Sequence, residues 1–146
     1  MEIQRRLVLD ANILIRAVLG RRVRQIILDY SDRVSFFAPE VAFADARRYL
    51  PTLLEKRAVD AAAVAQALLA LGHLETVVHP VTEDFYVAHR TTAMARIAAR
   101  DENDWPILAA ALMLSCPVWT EDQDFFGTGV PTWTSDRIEL FLTEYD

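Results

Sequence analysis

Arg6-Leu7-Val8-Leu9-Asp10, running without a break into Ala11-Asn12-Ile13-Leu14-Ile15-Arg16-Ala17-Val18-Leu19-Gly20, sets the architecture of the chain. The first five residues end a short apolar run, the pattern of a strand buried on both faces. The residues after Asp10 are apolar nearly all round and stop at a glycine, as a buried helix does. A single aspartate separates the two. A buried strand passing directly into a helix is the unit from which parallel α/β sheets are built.

The same alternation continues downstream. Val23, Ile26, Ile27 and Tyr30 fall at i, i+3, i+4 and i+7, which predicts a second helix. Val34 to Ala38 reads as a strand, and Pro39 opens a helix where proline is tolerated, with a bend expected near Leu50 ahead of Pro51. Asp60 is placed to cap an Ala-rich helix through Leu71. Thr76 to Val81 reads as a strand, and Thr82 as the cap of a long helix to about Arg100. After the polar break Asp101-Glu102-Asn103, Asp104 caps a helix from Trp105 to Leu114. Pro117 to Thr120 and Thr132 to Thr134 supply the last strands, around a loop at Gly127 to Gly129, and a helix from about Asp136 to Thr143 closes the chain. With no repeat, low-complexity tract or linker, residues 1–146 read as one α/β domain, a mainly parallel sheet with helices on both faces.

Composition narrows the function. At 53% hydrophobic and 25% charged residues the chain is neither disordered nor membrane-embedded in pattern. Pro106 to Trp119, its longest apolar stretch, is too short to span a bilayer. The first six residues lack the apolar core of a signal peptide, and the lone Cys116 has no internal disulfide partner. These features predict a cytoplasmic protein. The net charge of −6 sits awkwardly with a nucleic-acid partner, although divalent ions bound to clustered carboxylates would neutralise much of it. Fourteen of the 15 basic residues are arginine, in clusters at Arg21, Arg22 and Arg24, at Arg47 and Arg48, and at Arg90, Arg96 and Arg100. They suit either phosphate recognition or solvated helix faces, so charge leaves the question open.

The acids carry more information. Asp10 ends the first strand, Asp45 lies in the helix after the second, Asp104 opens a helix, and Asp122 follows the strand Val118 to Thr120. In open α/β sheets ligands bind beyond the carboxyl ends of the strands, so four acids distant in sequence fall at one edge. Each has an ordinary alternative: a helix cap for Asp10 and Asp104, an i, i+3 pair with Arg48 for Asp45, and a turn for Asp122. Only their joint placement exceeds these. Clustered carboxylates repel one another unless a cation is present, and hard Mg2+ or Mn2+ ions favour carboxylate oxygen. Such ions polarise phosphoryl oxygens and activate water, so the predicted chemistry is phosphodiester hydrolysis.

Leu7-Val8-Leu9-Asp10-Ala11-Asn12-Ile13-Leu14, Ala38-Pro39-Glu40-Val41 through Asp45, Asp104-Trp105-Pro106-Ile107-Leu108-Ala109-Ala110-Ala111 and Trp119-Thr120-Glu121-Asp122-Gln123-Asp124-Phe125-Phe126 together resemble, in order, the motifs of the PIN-domain family. That family includes the toxin ribonucleases of bacterial VapBC toxin–antitoxin pairs. The resemblance covers nearly the whole chain and implies a PIN-like three-layer α/β/α sandwich and a metal-dependent endoribonuclease. It gives Asp10, Asp45, Asp104 and Asp122 as metal-binding catalytic carboxylates, with Asp124 as a further metal or second-sphere group and Asn12 and Thr120 in support. It also implies RNA as substrate, products with a 5′-phosphate and a 3′-hydroxyl, an antitoxin protein as a possible partner, and a homodimer. The departure is Asp45, where the family usually carries glutamate; Glu40 is the nearby alternative, and Asp101 is ranked below Asp104.

The competing reading is a catalytically weak scaffold of the same fold that binds RNA or a protein. Haloacid-dehalogenase-like phosphatases need a second aspartate where Asn12 stands, response-regulator receivers need a late lysine whereas the only lysine is Lys56, and no P-loop motif exists. His73, His79 and His89 lack metal-ligand spacing, the three tryptophans read as packing residues, and Cys116 reads as buried and inert.

Overall fold

The computed structural model describes residues 5–97 and 100–143. Residues 1–4, on which part of the leader reading rests, and residues 98–99, inside the predicted long helix, lie outside the described residues. Five parallel strands, β1 (Arg5–Leu9), β2 (Val34–Pro39), β3 (Val78–Val81), β4 (Val118–Trp119) and β5 (Thr132–Trp133), form one sheet in the order β3-β2-β1-β4-β5. The helices are α1 (Ala11–Leu19), α2 (Arg22–Tyr30), α3 (Glu40–Lys56), α4 (Ala61–Leu74), α5 (Glu83–Tyr86), α6 (Arg90–Ile97), α7 (Trp105–Leu114) and α8 (Ile138–Leu142). One group, α1 to α4, packs together, and a second, α5 to α7, packs separately with α7 lying against β1, β2 and β4. The architecture is the expected α/β/α sandwich.

Leu7, Val8 and Leu9 are fully buried, which explains why β1 is an uninterrupted apolar run at the centre of the sheet. In register, Leu7 lies beside Phe36, and Val8 beside both Phe37 and Val118. The helix α7 is buried from Pro106 to Ala111, which accounts for its lack of a polar face. Phe36 and Trp119 are also fully buried, with ring centroids 6.5 Å apart. Phe36→Ala is expected to cost about 3–5 kcal/mol, read as a lower urea midpoint with an unchanged slope.

Two local expectations change. The helix predicted from Thr82 to about Arg100 is interrupted: α5 is followed by a 3-10 turn, Val87–His89, before α6. None of those three residues is buried, so no core side chain on this segment requires α-helical pitch. Thr82 does not cap the helix with its side chain, and its hydroxyl donates instead to the Asp84 carboxylate. α3 runs as one helix through Pro51, as a helix bent ahead of a proline does, with Leu50 and Leu54 buried on either side of it. Among the described residues, no helix is long and apolar enough to cross a membrane.

Candidate metal centre

The chain runs outward from β1 to β2 and β3, then returns to place β4 on the other side of β1. The order therefore reverses between β1 and β4, and a crevice opens beyond their carboxyl ends. Asp10 follows β1 and Asp122 follows β4, so both stand at this reversal. A cavity of about 660 Å³ there is lined by Asp10, Asp45, Asp104 and Asp122, together with Asn12, Asp101 and Glu83.

Asp10 is 7% exposed and does two things at once. As the N-cap of α1, its Oδ1 accepts the Ile13 backbone N–H at 3.0 Å. Its Oδ2 accepts the Thr120 hydroxyl, whose oxygen accepts the Asp122 backbone N–H at 2.9 Å. Asp122 Oδ1 then accepts the Asp124 N–H at 2.9 Å. The ordinary and the functional readings of Asp10 are thus compatible, and fully buried Thr120 is the link between the two strand ends. Burial pushes the Asp10 carboxyl up to about 6, against the opposing Thr120 and Ile13 hydrogen bonds; the Asp122 and Glu121 charges add to the rise.

Asp104 occupies the N-cap position of α7 without a side-chain capping bond. A 3-10 turn, Glu102–Asp104, precedes the helix, and Asp101 caps that turn by accepting the Asn103 N–H at 3.0 Å. The Asp104 carboxylate is left available, and its buried Oδ2 has no hydrogen-bond partner. Burial, followed by the charges of Asp101, Asp122, Asp10 and Asp124, pushes this carboxyl up to about 7. One carboxylate oxygen from each of Asp104, Asp122 and Asp124 lies within 4.8 Å of the others. Three hard oxygen donors and a buried orphan oxygen fit a divalent cation such as Mg2+ or Mn2+.

The remaining predicted residues are placed less tightly. Asp45 borders the cavity, but its Oδ1 accepts from Arg48 Nη2 at 3.2 Å, the ordinary i, i+3 pair. Glu40 is exposed and outside the cavity lining. Asn12 lines the cavity without a side-chain hydrogen bond among the described residues. Arg96 and Arg100 are exposed but also bound to the chain itself: Arg96 donates to Thr128 O at 3.2 Å, and Arg100 to Asp124 O at 2.7 Å and to Phe126 O. They hold the loop that carries Asp122 and Asp124, where Gly127 and Gly129 adopt φ of +83° and +88°. Cys116 is buried, and burial pushes its thiol up to about 12.

Sequence reasoning missed Glu83, Tyr49 and the wall made by Trp105. Glu83 lies two residues beyond the end of β3, so the strand-end rule that selected Asp10 and Asp122 would also have selected it. Replacing Thr120 with valine removes the link and strands the Asp122 N–H. Thr120→Val is expected to lower Mn2+ affinity and any metal-dependent activity by about 10–100-fold, measured by Mn2+ titration.

A parallel α/β/α sandwich with carboxylates gathered at the sheet reversal defines a class of acidic-site domains. Residues 8–143 match the PIN domain family, and the chain belongs to it. The fold is similar to a chain of VapBC2 from Rickettsia felis bound to a DNA fragment from their promoter, with a TM-score of 0.66 at 11% identity, covering 88% of this chain and 98% of that one. A toxin–antitoxin complex from Klebsiella pneumoniae is similar at a TM-score of 0.63 and 16% identity, covering 88% and 97% of the two chains. No curated protein sequence matches the chain.

Proposed function

We propose that the chain is a Mg2+- or Mn2+-dependent endoribonuclease that hydrolyses RNA phosphodiester bonds. The observation that carries this reading is the Asp104 carboxylate, aimed into a cluster of acids with a buried oxygen that no protein group satisfies. Asp104, Asp122 and Asp124 would hold the cation, with Asp10 lining the same cavity and Asp45 facing it from α3. Thr120 holds Asp10 and the Asp122 backbone in place, and Asn12 supports the rim. A cation held there would supply polarisation of a phosphoryl oxygen and a lowered pKa for water, the attacking nucleophile. Below about pH 7 a proton resides on Asp104 and competes with the cation for that carboxylate.

The similar toxin–antitoxin structures support a toxin role with an antitoxin protein as partner, and family analogy supports a homodimer and a cytoplasmic setting. A mixed pool of labelled RNAs, incubated with Mg2+ or Mn2+, tests the activity. Wild type is expected to cut, and Asp10→Asn and Asp122→Asn to abolish cutting; cleavage surviving both substitutions would sink the site assignment.

The Asp45–Arg48 pair favours one second reading, a catalytically weak RNA- or protein-binding scaffold, because it engages a carboxylate the active site needs. A metal titration separates the two, since a scaffold has no requirement for tight divalent binding.

A further inference from the structure

We propose that Arg48 and Tyr49 form a nucleotide-binding face on α3, with Tyr49 stacking on an unpaired base of the RNA and Arg48 contacting the adjacent phosphate. The proposal rests on the nuclease reading of the same cavity and names how that cavity grips its substrate. Asp45, Arg48 and Tyr49 stand at i, i+3 and i+4, on one side of α3, and all three line the cavity that holds Asp10, Asp104 and Asp122. Tyr49 is 49% exposed, an aromatic ring presented among acids and amides rather than folded into the core. Unpaired bases stack on such rings whatever their sequence, because every base has a π-face.

Arg48 supplies the missing charge. Among the described residues it is the one arginine lining a cavity whose other charged groups are all acidic. Its Cζ lies 4.9 Å from the Tyr49 ring centroid, and its Nη2 donates to the Tyr49 hydroxyl and to Asp45 Oδ1, both at 3.2 Å. The Arg48 side chain is 68% exposed and that of Asp45 is 39% exposed, so the pair is weak and exchangeable. A phosphate oxygen competes well for such a guanidinium, whose planar fork binds phosphate bidentately. A cation taking up the Asp45 carboxylate would release Arg48 for that contact.

The test is fluorescence anisotropy of a mixed-sequence single-stranded oligoribonucleotide, with Mn2+, in an Asp104→Asn background that leaves bound RNA intact. Tyr49→Ala is expected to weaken binding by about 5- to 150-fold, from about 1–3 kcal/mol per stacked base, while Tyr49→Phe keeps it within about twofold, since the ring is retained. Arg48→Ala is expected to weaken binding and to lower the salt slope by about one. In the otherwise native chain, Tyr49→Ala should leave Mn2+ affinity by paramagnetic resonance unchanged. Equal losses in the Ala and Phe variants, no loss in either, loss of Mn2+ binding, or equally tight binding of duplex RNA would each overturn the proposal. Wild type that cuts RNA with a KM unmoved by Tyr49→Ala would remove the stacking face and leave the nuclease standing. Tyr49-dependent binding without cutting by the wild type would do the reverse, and absence of both RNA binding and wild-type cutting would remove both.

Discussion

Asp104→Asn is expected to have two opposite effects: loss of metal-dependent cleavage, and a higher melting temperature for the metal-free protein at pH 8. Both follow from one carboxylate that is partly buried, faces four other acids and has an orphan oxygen. Its pKa is raised from 3.8 to about 7 in the folded chain, so the folded state holds this proton more tightly than the unfolded state. The sign is therefore the reverse of a salt-bridged aspartate: stability is greatest below about pH 4 and is lost as pH rises through 7. At pH 8 the full charge is present, and asparagine removes it while keeping the shape. Because the group is only partly buried, the gain is discounted to about 1 kcal/mol, or about 2–4 °C. Scanning calorimetry at pH 8 and pH 5 checks this, with the difference shrinking at the lower pH. Cleavage should fall by more than about a hundredfold, the upper range for losing a group that merely supports a ligand. A variant both less stable at pH 8 and fully active would remove Asp104 from the site.

Saturating Mn2+ is expected to raise the melting temperature much more at pH 8 than at pH 5.5. Binding only to the folded state stabilises it by about 2.7 kcal/mol at a hundred times the dissociation constant, equivalent to about 5–11 °C in a chain of this size. Asp10 and Asp104, raised to about 6 and about 7, must lose their protons for the ion to bind. Between pH 8 and pH 5.5, that competition lowers the apparent affinity by about a hundredfold. Thermal denaturation at one fixed Mn2+ concentration across this range reads the effect directly. A stabilisation independent of pH would mean that the ion binds away from both groups.

The centre of the fold is readable from residues 7–19 because burial leaves so little freedom there: three fully buried strand residues, an aspartate cap and an apolar helix permit one arrangement. The link from Asp10 through Thr120 to Asp122 is partly legible: both strand ends and the support of a carboxylate by the Thr120 hydroxyl can be read from the sequence, whereas the Asp122 N–H donating to that hydroxyl cannot. What escaped depends on geometry that spacing does not encode. Asp104 has the sequence of a capping residue, yet the preceding 3-10 turn leaves its side chain uncapped and available. The interruption at Val87–His89 lies in a segment with no buried residue to show it in the pattern. Arg96 and Arg100 read as a phosphate-facing or solvated cluster; both are exposed, and what spacing does not show is that they also bind carbonyls of a loop 24, 26 and 32 residues downstream.

The two margins of the sheet bear on how the protein behaves when concentrated. β5 offers only Thr132 and Trp133 to a neighbour, and β3 contains Pro80, which has no N–H to donate. Strand-to-strand addition needs a row of free donors and acceptors, and neither border supplies one of useful length. The chain should therefore resist self-templated β-aggregation even where its folded population is thinned by heat, and failure at high temperature should proceed through exposure of α7 and the buried run of β1 rather than through the native borders.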